Sequence, residues 1–329
     1  MGRKVAAGLA VAGVAGLGLL AVPAGAGAAP QLPPVAPEAL MSSVLSAQKE
    51  PFHGTVELNN GLGLPALPNA PQAADGTSTA RVWSNGPVGG RIQLPTDGGE
   101  RTLVSDGTTF WAWNSEDRTV VTGARPADTP DAASDPTTAA NEAITRLRGS
   151  SNVAVEGTAT VAGRPAYELV LTPLPTERTL LREVRIAIDA QMRQPLRMVV
   201  LGNGSPDPAL QVGFTELTYG AQDPALFTFT PPPGATVEQR QPGQRDQAAA
   251  DRRVVGEGWD TVVIRKRPAE QGGRPEGAPD LSTIGTPVSG PWGSGRLITT
   301  AVGTAIVTDD GRIAAGAVPE QLLNEALSS

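Results

Sequence analysis

A run of three prolines, Pro231-Pro232-Pro233, follows directly on a strand-like pattern and limits what this chain can fold into. In Leu226-Phe227-Thr228-Phe229-Thr230 the aromatic residues alternate with polar ones, which is typical of a strand that places both rings on one face of a sheet. The prolines then remove three consecutive backbone N–H donors, so a central strand cannot continue through them. We therefore predict an edge strand over residues 226–230, at which a sheet ends.

The N-terminus has the pattern of a secretory signal. Gly2-Arg3-Lys4 supplies positive charge, residues 5–22 are apolar and uncharged, and small residues follow Pro23. We expect a signal peptide over residues 1–28, cleaved near Gly27 or Ala29; the alternative is an uncleaved anchor, because the run is about long enough to span a bilayer. The chain has no cysteine, so it lacks the residue that carries a lipoprotein's lipid. We expect an extracytoplasmic protein, in the cell envelope or secreted, that is not lipid-anchored.

Charge and residue types argue against several classes of function. The chain has 26 basic and 33 acidic residues, a net charge of −7, and no large basic cluster, so nucleic acid is not an expected partner. His53 is the only histidine, and its position at a strand entry favours a surface imidazole over a catalytic one. The acidic pairs Glu116-Asp117 and Asp309-Asp310 fall in turns, where aspartate is favoured for backbone reasons. We therefore expect no enzyme activity, no cofactor and no metal site.

The order of patterns predicts a mainly β, α+β protein. A short amphipathic helix begins near Pro37, many short strands separated by turn residues follow, a second helix precedes residue 149, and a last helix follows Pro319. Residues 238–253 are charged and rich in glutamine, as in linkers. We predict a first domain over residues 35–237, this linker, and a small C-terminal α+β domain over residues 254–329.

Two of the predicted strands are apolar on both faces. Trp111 and Trp113 alternate with Phe110 and Ala112, and residues 196–201 have the same two-sided pattern. A sheet with one face in water would leave one side polar. These strands need cover on both faces, from helices, from a second sheet or from a bound apolar ligand, and spacing alone does not choose among them.

Several segments of the first domain, in this order, resemble the bacterial lipoprotein-carrier (LolA-like) superfamily. This superfamily also includes the N-terminal domain of RseB/MucB-like regulators of the envelope-stress sigma factor, and the resemblance is to an actinobacterial-type branch. The segments are Phe52-His53-Gly54-Thr55-Val56, Leu62-Gly63-Leu64-Pro65, Ser105-Asp106-Gly107-Thr108-Thr109-Phe110-Trp111, Val161-Ala162-Gly163-Arg164-Pro165 and Phe227-Thr228-Phe229-Thr230-Pro231-Pro232-Pro233-Gly234. Arg81 and Arg91 lie in the region of the arginine that fastens the lid in the classical carrier, but neither stands in the family's local motif. A second domain after a linker is typical of the regulator.

The resemblance implies an unclosed antiparallel β-barrel whose concave side is covered by helices and loops around a cavity for acyl chains. The residues that it makes candidates for ligand contact are Leu40, Val44, Leu62, Leu64, Trp111, Trp113, Leu169, Leu171, Met198 and Val200. Because strand parity is open, the opposite set of side chains is the alternative lining. The resemblance implies a binding or carrier protein for an acyl chain, lipid or lipoprotein; the alternative is an extracytoplasmic regulator that binds a membrane anti-sigma factor and senses envelope stress.

Overall fold

The computed structural model describes residues 30–64, 75–124, 136–240, 252–266 and 285–329. The predicted signal peptide, residues 65–74 of the apolar loop, and most of the predicted linker lie outside the described residues. The chain forms two sheets. None of the helices in the described ranges combines the length and the apolar character needed to cross a membrane.

The larger sheet has twelve strands and is open at both edges, in the order β12-β6-β5-β4-β3-β2-β1-β11-β10-β9-β8-β7, where β12 is Thr236–Gln239. Its first run of strands is β1 (Phe52–Asn60), β2 (Gly76–Ser84), β3 (Gly90–Thr96), β4 (Gly99–Ser105), β5 (Thr109–Asn114) and β6 (Thr119–Ala124). Its second run is β7 (Ser151–Val161), β8 (Arg164–Pro173), β9 (Leu181–Asp189), β10 (Pro195–Gly202) and β11 (Pro208–Tyr219). Pairing of β11 with β1 joins the two antiparallel meanders into one unclosed sheet. The expected mainly β, α+β architecture with an unclosed sheet is confirmed.

Two helices lie against this sheet. Helix α1 (Pro37–Ser46) begins with Pro37, which fits a first turn whose N–H groups have no helical partner, and Glu38 follows where the helix dipole favours a negative charge. Helix α2 (Pro136–Arg148) is joined to α1 by an ion pair between Arg148 and Glu38. Leu40 of α1 and Ile144 of α2 are fully buried, so the two helices and the β7–β9 part of the sheet share one core.

The predicted edge strand over residues 226–230 is wrong. Residues Pro224–Phe227 form a short 3-10 helix, in which the Asp223 side chain accepts a hydrogen bond from the backbone N–H of Ala225. The chain then passes through the prolines, turns at Pro233 and Gly234, where the Ala235 N–H donates to the Pro232 carbonyl at 3.1 Å, and forms β12 (Thr236–Gln239), which pairs parallel to β6. Pro224 at the first helical position and Asp223 as the cap favour this helical turn, so the alternation of aromatic and polar residues does not decide the structure.

The smaller sheet has six strands in the order β13-β14-β18-β17-β16-β15. The strands are β13 (Arg252–Val255), β14 (Val262–Lys266), β15 (Thr286–Gly290), β16 (Gly293–Thr299), β17 (Thr304–Thr308) and β18 (Arg312–Gly316). The last helix, α3 (Glu320–Ser328), buries Leu322, Leu323, Ala326 and Leu327, and Leu323 packs in the same core as Ile306. Residues 238–239 and 252–253 belong to the predicted linker, but in the structure they are strand residues, at the end of β12 and at the start of β13.

Candidate ligand-binding groove

The strand register assigns the large side chains to the two faces of the twelve-stranded sheet. Residues directly opposite each other on neighbouring antiparallel strands share a face. From Leu169 on β8, successive cross-strand partners can be followed through β9, β10, β11, β1, β2 and β3 to β4, and they define one face of the sheet. We call this the helix-side face, and it carries Leu169, Ile186, Met198, Val212, Leu58, Val82, Ile92 and Leu103.

One half of the helix-side face is covered by α1 and α2. Leu40 contributes to a core with Leu169 and Leu171, which are 1% and 7% exposed, and Val44 packs against the same cluster. These four residues were all predicted to contact a ligand. The structure brings them together, but it uses Leu40, Leu169 and Leu171 to bind the helices to the sheet.

The other half of the helix-side face is an open apolar groove. A cavity of about 600 Å³ lies there, and its lining includes Phe52, Val56, Val82, Ile92, Leu103 and Phe214. Ile92 and Leu103 stand opposite each other in the register and are 43% and 44% exposed. The rings of Phe52 and Phe214 meet edge to face, with centroids 5.7 Å apart. We call this cavity the groove. Its volume lies within the range of about 300–1,000 Å³ that is usual for small-molecule sites.

A second cavity of about 470 Å³ adjoins the groove at the end of α1. Both cavities are lined by Lys49, Phe52, Ser84 and Gly86. The rest of the smaller cavity's wall comes from the end of α1, from the turn between β9 and β10, and from the end of β11: Val44, Leu45, Ala47, Gln48, Glu50, Met192, Arg193, Gln194, Pro195 and Tyr219. We call it the side cavity.

A buried ion pair fixes the turn that forms one wall of the side cavity. Asp189 has no exposed surface, and it pairs with Arg164, whose guanidinium lies 4.8 Å from the ring centroid of Tyr219. Burial opposes ionisation of Asp189, but the hydrogen bonds from Arg164 and from the backbone N–H groups of Met192 and Gln191 outweigh it, so the pKa of Asp189 lies below its ordinary value. Burial, with a smaller contribution from the Asp189 charge, raises the pKa of Tyr219 to about 12. The Tyr219 hydroxyl therefore stays neutral and donates a hydrogen bond of 3.1 Å to Gln194 Oε1.

Trp111 and Trp113 lie on the face opposite the groove, so their assignment to the concave wall is corrected. Trp111 is paired with Val104, and Trp113 with Thr102. Thr102 and Val104 are the neighbours of Leu103 along β4, and successive side chains of a strand lie on opposite faces. Both tryptophans therefore lie on the face opposite Leu103. The cover on this back face is the segment after β11, because Phe229 lies with its ring centroid 6.5 Å from that of Trp113.

The remaining predicted residues line neither of these two cavities. Met198 and Val200 are half-buried on the helix-side face, but outside the linings of the groove and the side cavity. Leu62 and Leu64 are half-buried after β1, and the Leu62 carbonyl accepts a hydrogen bond of 3.0 Å from the Ala301 N–H near the smaller sheet. The sequence analysis did not single out the groove residues Val82, Ile92 and Leu103. They lie in short strands in which apolar and polar residues alternate, and this alternation is the sequence pattern that could have identified them.

His53 is exposed on β1, opposite Trp83 and Thr218. In the described ranges no group of three or more histidine, aspartate or glutamate residues is close enough to hold a metal ion. The groove itself is lined by apolar, glycine, serine and basic residues.

No protein-family model matches the chain, and no curated protein matches it. Among solved structures, it is similar to MucB from the Pseudomonas aeruginosa MucA/MucB complex, with 17% identity, a TM-score of 0.45, and coverage of 88% of this chain and 94% of that one. A LolA superfamily protein from Nitrosomonas europaea matches with 10% identity and a TM-score of 0.28 over 60% of this chain and 99% of that one. The Mycobacterium tuberculosis lipoprotein LppX matches with 10% identity and a TM-score of 0.31 over 56% and 93%.

At these identities and TM-scores, the similarity assigns neither a ligand nor a partner to this chain. The actinobacterial-type branch stays a prediction. The solved structures that the chain is similar to do include both kinds of protein that the sequence resemblance names, MucB and members of the LolA superfamily.

Proposed function

We propose that this protein is an exported, non-enzymatic binding or carrier protein whose groove takes an acyl chain or a similar hydrophobic ligand. The observation that carries the proposal is the pair Ile92 and Leu103, two large apolar side chains that are over 40% exposed in the wall of a concave site. Apolar residues clustered in a concavity are typical of ligand sites. At about 0.8 kcal/mol per buried methylene, several methylenes of an acyl chain supply useful affinity without any catalytic group.

The test is uptake of a fluorescent acyl probe by the delipidated protein. Ile92→Asp places a charge in the apolar wall, and we expect it to weaken probe binding by roughly tenfold or more, because the bound chain would desolvate the new carboxylate. The matched control is Val254→Asp, since Val254 is 50% exposed on the smaller sheet, outside the groove lining. No uptake by the unmodified protein, or equal loss in both variants, would contradict the proposal.

A second candidate function is that of a regulator that binds the extracytoplasmic part of a membrane-bound anti-sigma factor. The observation in its favour is that the smaller sheet is fastened to the larger one: Arg178, before β9, pairs with Asp260 and with Glu325 of α3. A carrier needs only the groove, whereas a regulator of this kind would use both parts. A pull-down from membranes with the mature chain and with a chain ending at Gln244 separates the two, because capture of an anti-sigma factor by the longer chain alone supports regulation. Failure of both chains to capture such a factor counts against it.

A further inference from the structure

The charges around the two cavities favour one class of ligand. Of the described residues that line the groove, two are basic, Lys49 and Arg91, and none is acidic, in a chain whose net charge is −7. Arg91 Nη1 is directed to the Leu226 carbonyl, 3.4 Å away, and Arg91 Nε is buried without a partner among the described residues. Lys49 is exposed and supplies the second cation of the groove lining. The side cavity adds Arg193, together with one exposed acid, Glu50.

Arg193 is held in place by its turn. Its φ is 59°, in the left-handed region that non-glycine residues rarely adopt, and its backbone N–H donates to the Asp189 carbonyl at 3.1 Å. Its guanidinium stacks over the Tyr167 ring at 5.3 Å from the centroid. A turn fixed by the buried Asp189 and a ring contact thus present the guanidinium in a defined orientation.

One nitrogen of this guanidinium is without a partner. Arg193 Nη1 is buried and makes no hydrogen bond to any described residue. Buried donors in proteins are nearly always paired, so this nitrogen has an unmet need for an acceptor. Arg193 lines the side cavity, so an anion bound there would lie beside its guanidinium, a group that favours the oxygens of a carboxylate or phosphate.

We propose that the ligand is an amphiphile with an anionic headgroup, whose apolar chain lies in the groove and whose carboxylate or phosphate is bound in the side cavity by Arg193 and Lys49. Lys49 belongs to the walls of both cavities, so it stands where chain and headgroup join. This inference rests on the proposed function, since it names the ligand class of the same site.

The experiment compares probes of one chain length that differ only in headgroup: palmitate, hexadecyl phosphate and hexadecanol, each titrated into the delipidated full chain. Both anions should bind more tightly than the alcohol, and more weakly at high salt because the interaction is between charges. Arg193→Gln should weaken binding of the anions by roughly tenfold, the usual effect of one charge-assisted hydrogen bond. It should leave hexadecanol unchanged. Lys49→Gln should have a smaller effect in the same direction, because Lys49 is exposed.

Lys266→Gln is the matched control, since Lys266 is exposed on β14 of the smaller sheet. A preference for palmitate or for hexadecyl phosphate distinguishes carboxylate from phosphate as the natural headgroup chemistry. Equal affinity for all three probes, unaffected by Arg193→Gln and Lys49→Gln, overturns the headgroup site but leaves the acyl-binding proposal standing. No binding of any probe defeats both. If Arg193→Gln unfolds, which its thermal transition reveals, the salt dependence of the unmodified protein and Lys49→Gln still decide the question.

Discussion

Asp189 shows how one buried residue shapes the site at a distance. Its carboxylate accepts hydrogen bonds of 2.8 and 2.9 Å from the backbone N–H groups of Gln191 and Met192, and its pair with Arg164 neutralises the charge. These contacts close the turn that carries Arg193. Asp189 therefore positions a wall of the side cavity but is not part of the cavity lining.

Asp189→Asn should lower the free energy of unfolding at pH 7 by about 3 kcal/mol, because it leaves Arg164 without its buried partner. The pKa of Asp189 is lowered by folding, so its contribution is fully present above the ordinary aspartate pKa of about 4 and is lost as pH falls through the lower folded value. Urea unfolding from pH 6 to pH 2 checks this, and the variant should lose less stability on acidification than the unmodified protein.

Glu142→Gln is the control for that measurement, because its pair with Arg146 is exposed on α2, with the two side chains 60% and 77% accessible. Such pairs contribute little, so its unfolding curve should stay close to that of the unmodified protein. Equal acid sensitivity of Asp189→Asn and the unmodified protein would refute the buried pair as the cause.

At the scale of elements, the segment after β11 serves as cover for the back face of the sheet. Phe227 is 5% exposed, and it packs so closely on Gly89 that a Cβ there would lie 3.4 Å from the Phe227 ring. Val104 and Val120 on the same face have no exposed surface. The apolar residues of β4 to β6 thus receive cover on the back face, while the groove on the other face stays open.

Phe227→Ala should therefore lower the free energy of unfolding by about 3 kcal/mol, as for other buried phenylalanines. Phe229→Ala, at a half-buried position, should cost less. Chemical denaturation measures both. A free energy within about 0.5 kcal/mol of the unmodified protein, as for surface substitutions, would show that Phe227 is not part of the core.

At the scale of the whole molecule, we propose that the smaller sheet with α3 is a second domain, which begins near residue 254. It has its own core around Ile306 and Leu323. Trp259 connects it to the first sheet: its indole N–H donates to Ser151 Oγ at 2.7 Å, and its backbone N–H donates to Glu177 Oε2 at 2.8 Å. Its side chain also packs against the core under α1 and α2.

Trp259→Ala should uncouple the two parts, so that one thermal unfolding transition becomes two. The physical reason is that each part keeps its own core while the apolar contact that Trp259 makes between them is lost. Arg178→Ala is the comparison, because Arg178 is 54% exposed in its ion pairs, and screened surface pairs should change the transition little. Calorimetry distinguishes the outcomes, and a single unshifted transition in Trp259→Ala would contradict this account.

The sequence by itself determined what depends on local chemistry: the turns, the helix that begins at Pro37, the α+β class and the short alternating strands. These follow from backbone restrictions and side-chain periodicity, which act within a few residues. It also indicated that strands such as residues 109–114 need cover on both faces.

Only the tertiary structure decided which face receives which cover. Alternation separates Trp113 from Ala112, but a shift of register by one residue exchanges the two faces, so no local pattern tells which of them borders a cavity. The same holds for Phe227, where contact with Gly89 on a distant hairpin places the side chain in the core despite its strand-like neighbours. The groove of Ile92 and Leu103 and the unpaired Arg193 beside it are likewise products of long-range pairing, because their residues come from strands and turns far apart in the chain.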